Sequence, residues 1–135
     1  MVEITFEYEG SLRCTATHVP SGTKLHTDAP KDNHGLGQSF SPTDLLATAF
    51  ATCTMTIIGI VAQREGIDLT GARGKVVKQM VTDPRRIGGL PLTIELPGHL
   101  TPEQRQLLEN AARGCPVCKS VGPEIDTTIA FEYGE

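Results

Sequence analysis

The chain has 135 residues, 39% hydrophobic and 21% charged, the size and balance of one soluble domain with enough apolar content for a core. Its net charge is −4, no basic run stands out, and it holds two tyrosines, four phenylalanines and no tryptophan. That composition argues against a nucleic-acid surface, which needs clustered Lys and Arg interleaved with stacking rings.

The first stretch, "MVEITFEYEG", carries acids and lacks the apolar run of a signal peptide, so the expected location is the cytoplasm. There thiols stay reduced, and the four cysteines are not expected to staple the fold. "VEITFEY", "SLRCTATHV" and "TKLHTD" alternate apolar and polar residues between "EG" and "PSG" turns, which predicts a three-stranded meander. Residues 29–40, "APKDNHGLGQSF", form a long loop of the kind that is often functional.

"SPTD" at 41–44 opens a helix: Ser41 as N-cap, Pro42 at the first helical position, Asp44 as the capping-box acid. The pattern runs to about Glu65, where Gly66 ends it. Leu46, Phe50, Cys53, Ile57 and Ile60 fall on one face at helical spacing. Residues 45–62 carry no charge, which reaches the length of a membrane span. Four threonines, a glycine and a cysteine dilute the segment, and the reading is a central buried helix with no membrane partner.

"GKVVKQMVTD" and "LPLTIELPG" predict two strands joined around "DPRRIGG". "TPEQ" at 101–104 repeats the capping-box layout and starts a helix from Pro102 to about Arg113, with Leu107, Leu108, Ala111 and Ala112 as its apolar stripe. A helical turn begins at Cys115-Pro116, and Ile129, Phe131 and Tyr133 alternate in a last strand. The order of strands, long helix, strands, helices and strand is α+β, in a single domain over residues 1–135.

The chemistry lies with the cysteines. Cys53, mid-helix on an apolar face, reads as a small buried hydrophobe whose thiol is inert unless a cation sits beside it. Cys115 precedes a proline suited to the first turn of a helix, and as N-cap it would face backbone N–H groups that favour a thiolate. With Cys118 it forms C-P-x-C, the pattern of the glutaredoxin active site, but here the motif falls near the C-terminus, outside any βαβ unit. A redox pair, half of a metal site and two buried thiols are all open readings of this motif. Zinc needs a second ligand pair, and Cys14, His18, His26, His34 and His99 supply no second C-x-x-C or H-x-x-x-H, so no metal is expected. Cys14, in a strand beside Arg13, reads as a packing residue.

"SPTDLLATAFATC" (41–53), followed by "ENAARGCPVCKSV" (109–121), resembles the OsmC/Ohr family of thiol-dependent peroxidases, and the likeness extends over nearly the whole chain. The resemblance implies the OsmC-like fold, in which antiparallel strands wrap around a long central helix, and an intertwined homodimer with active sites at the dimer interface. It implies that Cys53 attacks a peroxide and that Cys115 resolves the sulfenate to a disulfide. The substrates would be organic or hydrogen peroxides, and a thiol or dithiol would reduce the disulfide. No metal or organic cofactor would be needed. The position of Cys118 is commonly serine in the family, so the resemblance makes C-x-x-C incidental.

The organic-hydroperoxide branch carries a glutamate ten residues before the reactive cysteine, paired with an arginine. Here that position is Thr43, and Asp44 follows it. Asp44 is a candidate replacement as well as a cap, and Arg13 is the candidate arginine, with Arg85 and Arg86 next. Phe50, Met55 and Ile57 are expected to wall an apolar substrate pocket. Two other readings compete: a non-catalytic dimer that binds a small hydrophobic molecule, and a thiol-redox sensor.

Overall fold

The computed structural model describes residues 1–134. The chain divides into two compact units, residues 1–46 and 47–135. The first is the expected meander: β1 (Ile4–Gly10), β2 (Arg13–His18) and β3 (Lys24–Asp28) pair antiparallel in the order β1-β2-β3. The register pairs Phe6 with Ala16, Tyr8 with Cys14 and Ala16 with Leu25. Paired residues share a face, so Ile4, Phe6, Tyr8, Cys14, Ala16 and Leu25 form one apolar surface. The opposite surface carries Arg13 against Asp28, Thr15 against His26 and Thr17 against Lys24. The apolar surface stays open: Ile4, Phe6 and Tyr8 are 63%, 76% and 65% exposed.

The loop after β3 folds back on itself. Gly35 donates to the carbonyl of Pro30 and Gly37 to that of Ala29. A Cβ at Gly35 would lie 1.8 Å from the Ala29 oxygen, so the position tolerates only glycine. Lys31–Asn33 make one 3-10 turn within the loop.

Helix α1 (Pro42–Arg64) starts at the expected capping box. The Asp44 N–H donates to Ser41 Oγ at 3.1 Å, and the Ser41 N–H donates to Asp44 Oδ2 at 2.9 Å. The helix is long and apolar enough to cross a membrane by length and composition alone, but its buried residues belong to the core. The buried face is not the expected one. Ala47, Phe50, Thr54, Ile58 and Ala62 are buried, whereas Leu46 and Ile60 are exposed. Bulky apolar residues lie all round this helix, so the spacing of the largest ones did not select the face; small Ala47 and Ala62 mark the close approach instead.

The remaining strands are β4 (Arg73–Val76), β5 (Gln79–Val81), β6 (Arg86–Gly89), β7 (Leu92–Leu96) and β8 (Ile129–Tyr133). Where two strands were expected there are four. The run "GKVVKQMVTD" breaks at Val77–Lys78, and its second half forms an antiparallel hairpin with β6 through a turn containing the cis Asp83–Pro84 bond. The other sheet has the order β4-β7-β8. The expectation of antiparallel strands fails at one pair: β7 and β8 run parallel. The chain between them carries helices α2 (Pro102–Ala112) and α3 (Pro116–Ser120), a crossover of the kind parallel pairing requires.

The hydrophobic core is built from this second unit. Phe50, Ile58, Leu90, Ile94, Leu96 and Leu108 are its largest fully buried apolar side chains. Helix α2 begins with a complete Thr101–Gln104 capping box. Arg105 lies 4.1 Å over the Tyr133 ring while donating to the carbonyls of Gly98 and Leu100, and Tyr133 donates its hydroxyl to Glu109.

Ile58 is 0% exposed, so Ile58→Ala is expected to cost about 2–5 kcal/mol, read as a lower urea midpoint with an unchanged slope. A loss below about 0.5 kcal/mol, the scale of an exposed position, would contradict this placement of the helix face.

Candidate active site: a pair of thiols

Cys53 lies at mid-helix in α1, half-buried, on the flank between the core face and the exposed one. Cys115 is the N-cap of α3 and is 1% exposed. Proline at the first position of α3 needs no N–H partner, and Cys115 Sγ accepts the Cys118 N–H at 3.5 Å. The structure brings the two side chains close enough for each to shift the other's ionisation. All four cysteines are free thiols.

The pair is electrically asymmetric. Burial alone pushes the Cys115 thiol up, but hydrogen bonds from the Cys118 N–H, the Cys53 thiol, the Thr54 hydroxyl and the Val117 N–H bring it below its ordinary value. For Cys53, the Val117 N–H favours the thiolate. Burial, the hydrogen bond to Cys115 and the charge on Cys115 oppose that and leave it raised. The two thiols therefore titrate as a coupled pair. Thr54 is buried and donates its hydroxyl to the Phe50 carbonyl at 2.8 Å.

Arg13 and Asp44 belong to the N-terminal unit. Arg13 Nη2 lies 3.6 Å from Asp28 Oδ2 and donates to Gln38 Oε1. Asp28 is 2% exposed, accepts the Gln38 N–H at 3.0 Å, and its Oδ1 has no partner among the described residues. Asp44 occupies the capping geometry, and Thr43 Oγ1 lies 3.2 Å from Ser41 Oγ. Arg86 donates to the carbonyls of Ile87 and Glu124.

Of the expected pocket wall, Met55 lines a groove of about 280 Å³ with Thr48, Ala51, Thr52 and residues of β4 and β7. Phe50 is packed in the core and Ile57 is half-buried. Thr54 and Val117 were not singled out from the sequence, and neither residue type announces a role at a thiol. Among the described residues, no group of three or more His, Cys, Asp or Glu side chains is placed to hold a metal ion.

An α+β protein whose long helix and short helix present paired thiols to each other defines a dithiol protein with one buried and one reachable sulfur. The OsmC-like protein family model matches residues 35–130. A solved protein from Psychrobacter arcticus, named for an osmotic stress induced and detoxification response, is 41% identical, with a TM-score of 0.92 over 98% of this chain and 96% of that one. An OsmC-like protein from Mycoplasma pneumoniae is 15% identical with a TM-score of 0.83, covering 100% of this chain and 98% of that one. An organic hydroperoxide resistance protein from Elizabethkingia anophelis is 17% identical with a TM-score of 0.75, covering 99% and 96%. No curated protein matches. The chain belongs to the OsmC-like family and has its α+β fold.

Thr54→Val preserves shape but removes a donor, so it is expected to raise the pH at which the first thiolate appears in ultraviolet absorbance. Cys53→Ser should also alter that titration by replacing the thiol donor. Cys115→Ser should lower the Cys53 value, because the opposing charge is gone. An unchanged titration in all three variants would contradict the coupling of the two thiols.

Proposed function

We propose that the protein is a cytoplasmic thiol peroxidase that reduces organic hydroperoxides through Cys53 and Cys115. The observation that carries this is the proximity of Cys53 and Cys115, one residue buried and the other half-buried. A peroxide reaches the more open Cys53. As Cys53 attacks the terminal peroxide oxygen, its proton passes to the Cys115 thiolate, the O–O bond breaks and the alcohol leaves after protonation. Cys53 becomes a sulfenic acid, and Cys115, having returned the proton to the leaving alkoxide, attacks it as a thiolate, forming the disulfide while hydroxide leaves and takes a proton from solvent as water. An external thiol or dithiol returns both cysteines to the reduced state.

The base in this scheme is Cys115, so the chemistry does not require a glutamate at the Thr43 position. Arg13 remains a proposed activating residue and Asp44 its proposed orienting partner. If Arg13 activates Cys53, Arg13→Met slows Cys53 alkylation by iodoacetamide at neutral pH. Unchanged alkylation assigns activation to the pair's own hydrogen bonds.

The functional unit is proposed to be a homodimer. The apolar face of the β1-β2-β3 sheet, with Phe6 76% exposed, is the surface a second copy would cover. Light scattering at micromolar concentration should give twice the chain mass, and a stable monomer rejects this assembly.

Cumene hydroperoxide should consume two thiols per chain, and repeated turnover should follow when a dithiol is supplied. Cys53→Ser abolishes consumption. Cys115→Ser allows one oxidation and then over-oxidation of Cys53, seen as added oxygen by mass spectrometry. If peroxide leaves the thiol count unchanged, the reading as a non-catalytic dimer that binds a small hydrophobic molecule replaces this one. Oxidation without turnover in the presence of dithiol indicates a redox sensor.

A further inference from the structure

The C-x-x-C motif places a third thiol one helical turn beyond Cys115. Cys118 is half-buried, packs against the same core cluster as Cys53 and Cys115, and is less enclosed than Cys115. Its N–H donates to Cys115 Sγ at 3.5 Å, and its own Sγ lies 3.3 Å from Thr127 Oγ1. Helical residues three apart have Cα atoms about 5 Å apart, inside the range a disulfide spans. Cys115 is therefore the sulfur that both neighbours can reach, Cys53 from α1 and Cys118 from within α3.

We propose that Cys118 is a relay thiol: it attacks Cys115 in the Cys53–Cys115 disulfide, moves the oxidised bond into the C-x-x-C pair and frees Cys53 for a further reaction. The step is a thiol–disulfide exchange. The Cys118–Cys115 bond forms, the Cys115–Cys53 bond breaks, and the electron pair leaves on Cys53 as a thiolate. Cys118 gives up a proton and Cys53 regains one, so the step needs no oxidant or reductant. The Val117 N–H that favours the Cys53 thiolate receives the charge released. The Thr127 hydroxyl sits at the attacking sulfur. The outcome is that Cys53 is a free thiol again while the oxidised bond waits for the external reductant within the C-x-x-C pair. The relay builds on the proposed peroxidase cycle, but the exchange itself requires only that the first disulfide forms.

The test uses one equivalent of diamide per chain, which oxidises a dithiol without peroxide. Samples taken over time are quenched in acid, alkylated and digested with trypsin. Cleavage after Lys31, Arg64, Arg113 and Lys119 leaves Cys53 on peptide 32–64 and both Cys115 and Cys118 on peptide 114–119. The expected course is a cross-link between the two peptides that rises first. An internal disulfide in 114–119 then replaces it, with Cys53 recovered in alkylated form. Cys118→Ser should stop at the cross-link and slow the recovery of free Cys53 by at least about tenfold. A cross-link that persists as the end product in the unaltered chain overturns the relay. So does an internal disulfide that forms as fast in Cys53→Ser as in the unaltered chain. The same series with cumene hydroperoxide separates the two claims: oxidation by diamide in the expected order with none by hydroperoxide rejects the peroxidase and leaves the relay standing.

Discussion

The candidate site depends on one constraint: a buried thiol on α3 and a half-buried thiol on α1 stand close enough to shift each other's ionisation. Alone, a thiol buried like Cys115 would stay protonated, because burial disfavours the charged form. Four donors reverse that, and one of them is the other thiol. The arrangement works only if a mid-helix position on α1 and the first turn of α3 are held within hydrogen-bond reach. The crossover between β7 and β8 carries α2 and α3, and the core cluster includes Cys115 together with residues of α1, α2, β6 and β7. Packing and electrostatics are thus the same problem here: a shift that loosened the α1–α3 contact would also raise the pKa of the thiolate.

The asymmetry of the pair suits a two-step oxidation. The thiol with the lowered pKa belongs to the buried residue, and the thiol with the raised pKa to the half-buried one. A strongly stabilised thiolate is a weaker nucleophile than its charge suggests. In the proposed cycle, dividing the labour between one sulfur as base and later resolver and the other as nucleophile would avoid that conflict without an added carboxylate. The presence of Thr43 where the related branch has a glutamate is consistent with such a division.

Much of the architecture was legible in the sequence because it is written in local signals. The "SPTD" and "TPEQ" capping boxes, the proline after Cys115 and the alternation in β1 to β3 each act over a few residues, and each appears where expected. What failed were choices that tertiary packing makes. The buried face of α1 was misjudged because its apolar residues surround the helix, and the Ala47 and Ala62 contacts carry no hydrophobic signal stronger than their neighbours. The β5–β6 hairpin hid inside an apparent single strand and a turn. At the site, the approach of Cys53 to Cys115 was not readable from spacing at all. It came from a family likeness, while the donors Thr54 and Val117 emerged only from the coordinates.

The N-terminal sheet has a thermodynamic consequence. Within its 46 residues only Asp28 and Ser41 are buried, both polar, so it has no apolar interior of its own to offset the entropy of ordering the strands. Its order must then be supplied by whatever covers Ile4, Phe6 and Tyr8. In the proposed homodimer, folding of this segment and association become one equilibrium governed by mass action, and the melting temperature rises with protein concentration. Dilution would act on such a protein as a mild denaturant.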